Sequence, residues 1–530
     1  MTEEKTFARK ASGLVKEASP LKAMFFNLTN IMGSKFFWSL SYYGLFPAAL
    51  IFGMPSVVWF VIMISLISLI LGVLYVQIVT PMPRSGADYV IPARVMGPAW
   101  GWINSWMIMW SWLPIWGWVG WMTVRNVKLT IDLLNIAGVT SGSTAWVLAE
   151  PAVEILGCLS IVIAILFCLI PPKKFYTLLT GIGLFAFSGL IITVLGAIAG
   201  APYLAGNLEK LAGMSASQII QNAAANGFNI NETLTLATTA GLIGYVLFGI
   251  GGYQYSASIA GELRGSVKRA LTISILGSII VYLIYYVAIS WGLASILGYH
   301  LISSWSYLFW VTGNSPLGLP PINALLVQIA LPNLWPLWLI TAVAGLLGTW
   351  ICMPASMVYI NRQIFAWGMD RMLPTSWTSV WRGVPIKIFI LEGVAAIIFF
   401  ALTLFGVNPI EYSWWTVILT LPAYFLPAIC GIIIAKRRKD LFAATPWKRA
   451  LVPLSILQIC CYIPLYALGI YGTIPSGTAT QSLWALAIST GLIFTVIIVI
   501  VGIILYYIIR SLNIRKGIEV DKIFKEIPPE

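Results

Sequence analysis

The stretch FGIGGYQYSASIAGELRGSVKRA, Phe248–Ala270, decides how this chain is read. Three glycines, Gly249, Gly251 and Gly252, stand within its first five residues. Each costs a helix interior about 1 kcal/mol relative to alanine. An apolar run starting near residue 236 leads into them, and Glu262, Arg264 and Lys268 lead out. A helix interrupted inside such a run frees peptide groups that hydrocarbon cannot satisfy. The interruption is therefore expected only where the backbone faces a cavity or other protein.

Composition supplies the setting. Of 530 residues, 59% are hydrophobic and 9% are charged, against roughly 25% charged in soluble domains. Long apolar runs recur where a β-barrel would show short alternating segments, so the fold class is an all-α polytopic membrane protein. Twelve spans are predicted, near 24–51, 56–79, 99–124, 151–171, 175–200, 236–260, 270–297, 323–360, 385–406, 413–435, 450–473 and 482–509. The first and eighth are longer than a bilayer needs, which predicts bending or tilt. With the N-terminus in the cytoplasm, all but four of the 31 Lys and Arg residues fall on the inner side, the four being Lys35, Arg125, Lys128 and Lys210. That asymmetry predicts cytoplasmic termini. It also assigns the net charge of +13 to topology and lipid contact rather than to nucleic acid.

Several chemistries are excluded. Met1–Lys22 is polar throughout and lacks the apolar core of a signal peptide. The six cysteines lie inside apolar runs and read as small core residues, not as a disulfide or metal framework. The single histidine, His300, is expected in a loop and cannot build a histidine metal site. No HExxH, nucleophile elbow, phosphate loop or pair of catalytic acids is found, so no enzyme is expected, and no cofactor. No repeated pore filter points to a channel.

A second cluster matches the first. Asn27–Gly44, NLTNIMGSKFFWSLSYYG, places Asn27, Asn30, Gly33, Ser34 and Lys35 well inside span one. Polar groups at that depth need partners or a cavity. Clusters in spans one and six, five helices apart, point to a transporter whose site lies between two broken helices. Gly196 and Gly200, spaced GxxxG on span five, read instead as a helix-packing pair. The Trp series from Trp102 to Trp121 in span three is expected to pack and anchor, with Trp110 or a neighbour a candidate wall of an apolar pocket.

Three stretches carry a family resemblance. TPMPRSGADYV, Thr80–Val90, looks like a Pro-x-Ser-Gly-Gly-x-Tyr loop with Ala87 at the second glycine. The opening stretch looks like a broken sixth helix with its Glu-x-Lys-Asn-Pro-x-Arg type exit, Ser266 standing in for the proline. NRQIFAWGMDRMLP, Asn361–Pro374, brings Arg362, Asp370 and Pro374 into the pattern that ends an eighth helix. In this order the chain resembles the amino acid–polyamine–organocation (APC) superfamily of amino acid permeases, which have the LeuT-type fold. The resemblance implies five-plus-five inverted repeats with discontinuous helices one and six, plus two C-terminal helices. The implied divisions are 1–22 (cytoplasmic segment), 23–200 (first repeat), 201–235 (extracellular loop with a short surface helix), 236–440 (second repeat), 441–510 (last two spans) and 511–530 (cytoplasmic tail). It also implies a secondary active transporter of amino acids working by alternating access, in the plasma membrane, as a monomer or homodimer.

Residue chemistry outlines the expected site. A solute carboxylate suits the N–H groups at a break in span one, with Asn30, Ile31, Met32, Gly33 and Ser34 as candidates. Counting back from Gly86 would instead place that break near Ser41–Gly44. A solute ammonium suits the carbonyls ending the first part of span six, among Leu247, Phe248, Gly249, Ile250, Gly251, Gly252, Tyr253 and Gln254. A neutral amide at Gln254 offers no charge for a second cation, which favours neutral, apolar amino acids over arginine or polyamines. A polyamine, a nucleobase or another organic or inorganic cation is the rival cargo. Lys35 is read as a charge or coupling site, or as a structural residue paired elsewhere. Thr349 and Ser356 are candidates for holding Na+, the alternative coupling ion being H+. Glu154 and Glu392 are expected near span ends.

Overall fold

The computed structural model describes residues 13–43, 49–231, 233–407, 416–471, 478–518 and 523–524. It is helical apart from a minute hairpin pairing Leu50–Ile51 with Met54–Pro55. Among the described residues eight helices are long and apolar enough to cross a membrane: Ser56–Val79, Pro172–Gly200, Val267–Leu297, Trp335–Met369, Ile386–Leu404, Thr416–Arg437, Lys448–Leu468 and Gly491–Arg515. Beside them run the aromatic helix Pro98–Ile136 and the shorter apolar helices Ala152–Cys168 and Thr238–Ile250. Proline opens several of these helices, at Pro20, Pro98 and Pro172, where its missing N–H costs nothing and its fixed φ favours the first turn.

Four local expectations change. The predicted eighth span, 323–360, is two elements: a short helix Asn323–Ala330 and the long helix Trp335–Met369. Pro332, Asn333 and Pro336 separate or open them, since proline cannot continue a helix that reaches it from the N-terminal side. His300 lies in the helix Tyr299–Tyr307, not in a loop. The 201–235 connection carries two helices, Leu204–Ala212 and Ala216–Ala225, where one was expected. Glu392 is buried, beside Asn361 and Arg362, while Glu154 is exposed in the first turn of its helix.

Close helix approaches are made where side chains are smallest. A Cβ on Gly200 would sit 2.5 Å from the Cβ and the carbonyl of Ala330, so the GxxxG pair does pack, against Asn323–Ala330. Gly345 and Gly348 of Trp335–Met369 receive Phe36, whose atoms would lie 2.6–2.8 Å from an added Cβ. Gly117 of the aromatic helix would meet the backbone of Phe399 and Phe400 at 2.5–2.6 Å. No larger residue fits these crossings without moving a helix.

The three stretches that carry the family resemblance meet at one end of the bundle. Gly86, at φ +77°, lies against Arg362, whose carbonyl would be 2.6 Å from an added Cβ. The N–H of Gly86 donates to Ser258 O at 2.8 Å. Arg362 forms a two-point pair with the fully buried Glu262, Nε to Oε1 at 2.5 Å and Nη2 to Oε2 at 3.2 Å. Tyr176 OH donates to the same carboxylate at 3.1 Å. Eight residues further along, Asp370 pairs with Arg94, Nη2 to Oδ1 at 2.6 Å, with Nη1 donating to Oδ2. Removing one member of a buried pair leaves an uncompensated charge, which costs about 3–5 kcal/mol. Glu262→Gln is therefore expected to lower the melting temperature of detergent-solubilised protein markedly. Breaking the partly exposed Lys128–Asp132 pair with Lys128→Met should cost under about 1 kcal/mol. Equal melting shifts for the two variants would contradict this account.

Candidate functional site

The first helix, Pro20–Met32, stops at Gly33, whose φ of +33° and ψ of −118° lie outside the helical region. A second short helix, Lys35–Trp38, starts after Ser34. The first helix thus stops at the expected position Asn30–Ser34; the other expected position, Ser41–Gly44, follows the end of Lys35–Trp38, and its Gly44 lies outside the described residues. The sixth-span helix, Leu236–Ile250, likewise stops at Gly251, and the chain turns through Gly252 at φ +111° before tight turns at Tyr255–Ser258 and Ala260–Glu262. The two interruptions touch: a Cβ on Gly252 would lie 2.9 Å from the Cβ of Asn30.

Side chains tie the broken segments together. Asn27 Nδ2 donates to Ser256 Oγ at 3.1 Å and to Ser274 O at 3.0 Å, and its Oδ1 accepts from Ser256 N at 2.8 Å. The bond from Ser256 N satisfies a peptide group that a continuous helix would have satisfied itself, and the other two tie Asn27 to the break and to the next span. Asn30 Nδ2 donates to Phe26 O at 2.9 Å, while its buried Oδ1 has no protein partner. Lys35, only 8% exposed, sends its Nζ to two carbonyls, Ile31 O at 2.7 Å and Gly249 O at 2.9 Å. One ammonium thus bridges the C-terminal ends of both interrupted helices.

Between the breaks lies a cavity with about 70 Å³ accessible to the centres of water-sized spheres, room for several waters. Of the candidate residues, Asn30, Gly33, Ser34, Lys35, Leu247, Phe248, Gly249, Gly251, Gly252, Gln254 and Thr349 line it. Ile31, Met32, Ile250 and Tyr253 are fully buried outside its lining. Ile31 still reaches the site through its carbonyl. Ser356 also lies outside: its hydroxyl donates back to Cys352 O at 2.7 Å and accepts from Trp116 Nε1 at 2.9 Å. The Thr349 hydroxyl donates to Gly345 O at 2.9 Å.

The aromatic helix supplies a wall, but not through Trp110. That ring packs on Trp106 and Phe494, centroids 5.8 and 6.0 Å away. The cavity face consists of Ile108, Trp112, Ile115, Val119 and Met122, with Trp118 beside it. Those five follow the three-and-four spacing of one helix face, and Trp110 stands two residues, about 200°, from Trp112. That apolar stripe was present in the sequence; counting tryptophans obscured it. Trp118 meets Phe248 at 5.9 Å, Trp112 meets Tyr255 at 5.4 Å, and Tyr255 stacks on Tyr359 at 3.7 Å. Tyr359 OH then donates at 2.8 Å to Asp88, a carboxylate beneath the cavity that also accepts from Tyr75 OH at 2.7 Å. Asp88, Tyr424 and Thr416 drew no attention in the sequence. The latter two line the cavity from the Thr416–Arg437 helix.

The contact at Gly252 generates a stability prediction. Gly252→Ala combines a left-handed φ with a 2.9 Å contact to Asn30, whereas Gly251→Ala meets nothing nearer than 3.4 Å. The former should lower the detergent melting temperature clearly and the latter hardly at all, since strained positions cost about 1–3 kcal/mol.

Comparison with known proteins agrees with this architecture. A family model described as amino acid permease matches residues 19–501. Among solved structures, the crystal structure of MhsT in complex with L-phenylalanine is similar, with a TM-score of 0.50 and 15% identity. That match covers 86% of this chain and 99% of that one, and at such identity the likeness is one of fold. No curated protein matches the sequence.

Proposed function

The chain belongs to the amino acid permease family, a transporter rather than an enzyme, and from that premise we propose that it is a secondary active carrier of amino acids, or solutes built like them, with uncharged apolar side chains. The observation that carries the reading is the meeting of two interrupted helices at one cavity whose walls are aliphatic and aromatic. Among the described residues no Asp or Glu lines the cavity, which favours an uncharged side chain, since a cationic one would find no partner among them. MhsT, which shares the fold, was crystallised with L-phenylalanine, and an apolar side chain of that kind suits the wall formed by Trp112, Ile115, Trp118 and Val119.

In this reading the residues 23–200 and 236–440 are inverted repeats, and the site alternates between the two sides as one bundle rocks against the other. The positive-inside asymmetry places both termini in the cytoplasm. The solute's carboxylate is received at the break around Gly33 and Ser34, and Phe248 and Trp118 close over its apolar body. The cation that drives transport is H+ or Na+. Thr349, on the cavity wall, is the better placed of the two hydroxyls for Na+, and Ser356 is withdrawn from it.

Purified protein in proteoliposomes is expected to take up radiolabelled apolar solutes with saturation and to show counterflow; uptake linear in concentration without counterflow would identify a channel instead. Gly251→Leu is the matching variant. Its first carbon fits, with Tyr424 OH at 3.4 Å, and the remaining carbons extend into the cavity. Binding should be lost while the protein stays folded and inserted. Wild-type transport by this variant would remove the cavity from the pathway.

A further inference from the structure

Lys35 stands where a solute's ammonium would have to bind. Its Nζ is bonded to Ile31 O at 2.7 Å and Gly249 O at 2.9 Å, and lies 5.4 Å from the centre of the Tyr282 ring. Both carbonyls sit at the negative ends of helices that stop at the breaks, the places where a positive charge gains most from the helix dipole. Two helix ends thus offer a cation site, and a side chain of the protein fills it. An ammonium carries three protons; two are engaged by these carbonyls, and Lys35 is itself among the residues that line the cavity.

The charge balance of the cavity points the same way. Among the described residues no carboxylate lines it. One turn beyond Met122, on the same helix, the Arg125 guanidinium lies 5.0–5.5 Å from the ring centres of Trp38, Trp121, Phe309 and Trp310. Among the described residues the ion pairs are those of Arg94, Lys128, Arg264, Arg362 and Arg438, and neither Lys35 nor Arg125 belongs to one. Among the described residues, then, no carboxylate forms an ion pair with Lys35. A zwitterion would bring a second ammonium whose carbonyl partners are taken. Displacing Lys35 to make room would strand one buried cation for the sake of another, which is costly. A carboxylate that brings no ammonium meets neither penalty and supplies the missing partner.

We propose that Lys35 is a built-in substitute for the solute's ammonium, and that the preferred cargo is a small organic carboxylate with an apolar body and no free ammonium, a 2-oxo acid being the simplest match. The proposal rests on the reading of this cavity as the transport site, and in place of the amino acid it puts a solute built like one but without the ammonium.

The test is binding to purified full-length protein, by thermal shift and by uptake into proteoliposomes, of three matched probes: leucine, 4-methyl-2-oxopentanoate and 3-methylbutylamine. Wild-type protein should bind the oxo acid roughly tenfold or more tightly than leucine and should not respond to the amine. Lys35→Met keeps an unbranched side chain of similar length and frees both carbonyls, so the preference should swing toward leucine or the amine. Leucine binding as tightly as the oxo acid to wild-type protein, or better, overturns the proposal with no variant needed. A folded Lys35→Met protein that keeps the wild-type ratio overturns it too. If Gly251→Leu still binds the oxo acid with wild-type affinity, the cavity itself is the wrong site and the proposal falls with it. The probe ratio on wild-type protein distinguishes that failure from an error in the role of Lys35.

Discussion

Peptide groups released inside a hydrocarbon-facing bundle must find partners, and the rest of this structure is arranged around that requirement. Two helices lose their winding, at Gly33 and at Gly251, and the freed groups are shared out among a few polar side chains. Asn27 holds Ser256 and Ser274, and Lys35 holds Ile31 and Gly249. Each such bond is worth only about 1 kcal/mol net, but leaving its groups unmade in a dry interior would cost more. Gly252 lets the backbone of the sixth-span break come against the Asn30 side chain, at a distance that a Cβ on residue 252 would not permit.

From this joint outward the packing is glycine against aromatic. Phe36 settles on Gly345 and Gly348, which fixes the short helix Lys35–Trp38 against the long helix Trp335–Met369. Phe400 fills the space above Gly157 and Gly117, which brings the aromatic helix alongside Ile386–Leu404. The cavity is what remains between these fixed contacts. It is an outcome of where side chains are missing as much as of where they are present.

Much of this was legible in the sequence because lipid imposes strict rules. Apolar runs of bilayer length located most of the long helices, and two misplaced polar clusters marked the place where two of them fail. Gly249–Gly252 and Asn30–Ser34 are adjacent in the fold, as matching interruptions implied. What escaped was set by rotation and by tertiary partners. Trp110 and Trp112 differ by two residues and face opposite ways, a distinction that composition cannot make. Asp88 reads as a loop acid until Tyr75 and Tyr359, from distant parts of the chain, converge on it. The partners of Lys35 could not be foreseen because both are carbonyls, which leave no mark in the identity of the residues that bear them.

The aromatic helix Pro98–Ile136 links two closures of unlike character. Near its start Trp102 lies 4.7 Å from Trp367, close to the buried pairs Arg94–Asp370 and Glu262–Arg362. About 35 Å along it, at 1.5 Å per residue, Arg125 sits among four rings. Parting the first closure means hydrating separated ions, so water has to arrive as the gap forms. Parting the second means only that flat rings slide and turn, with the guanidinium passing from one face to another. In the carrier proposed above, opening at the first end would depend on wetting and opening at the second on side-chain rotation, so the two rates need not match.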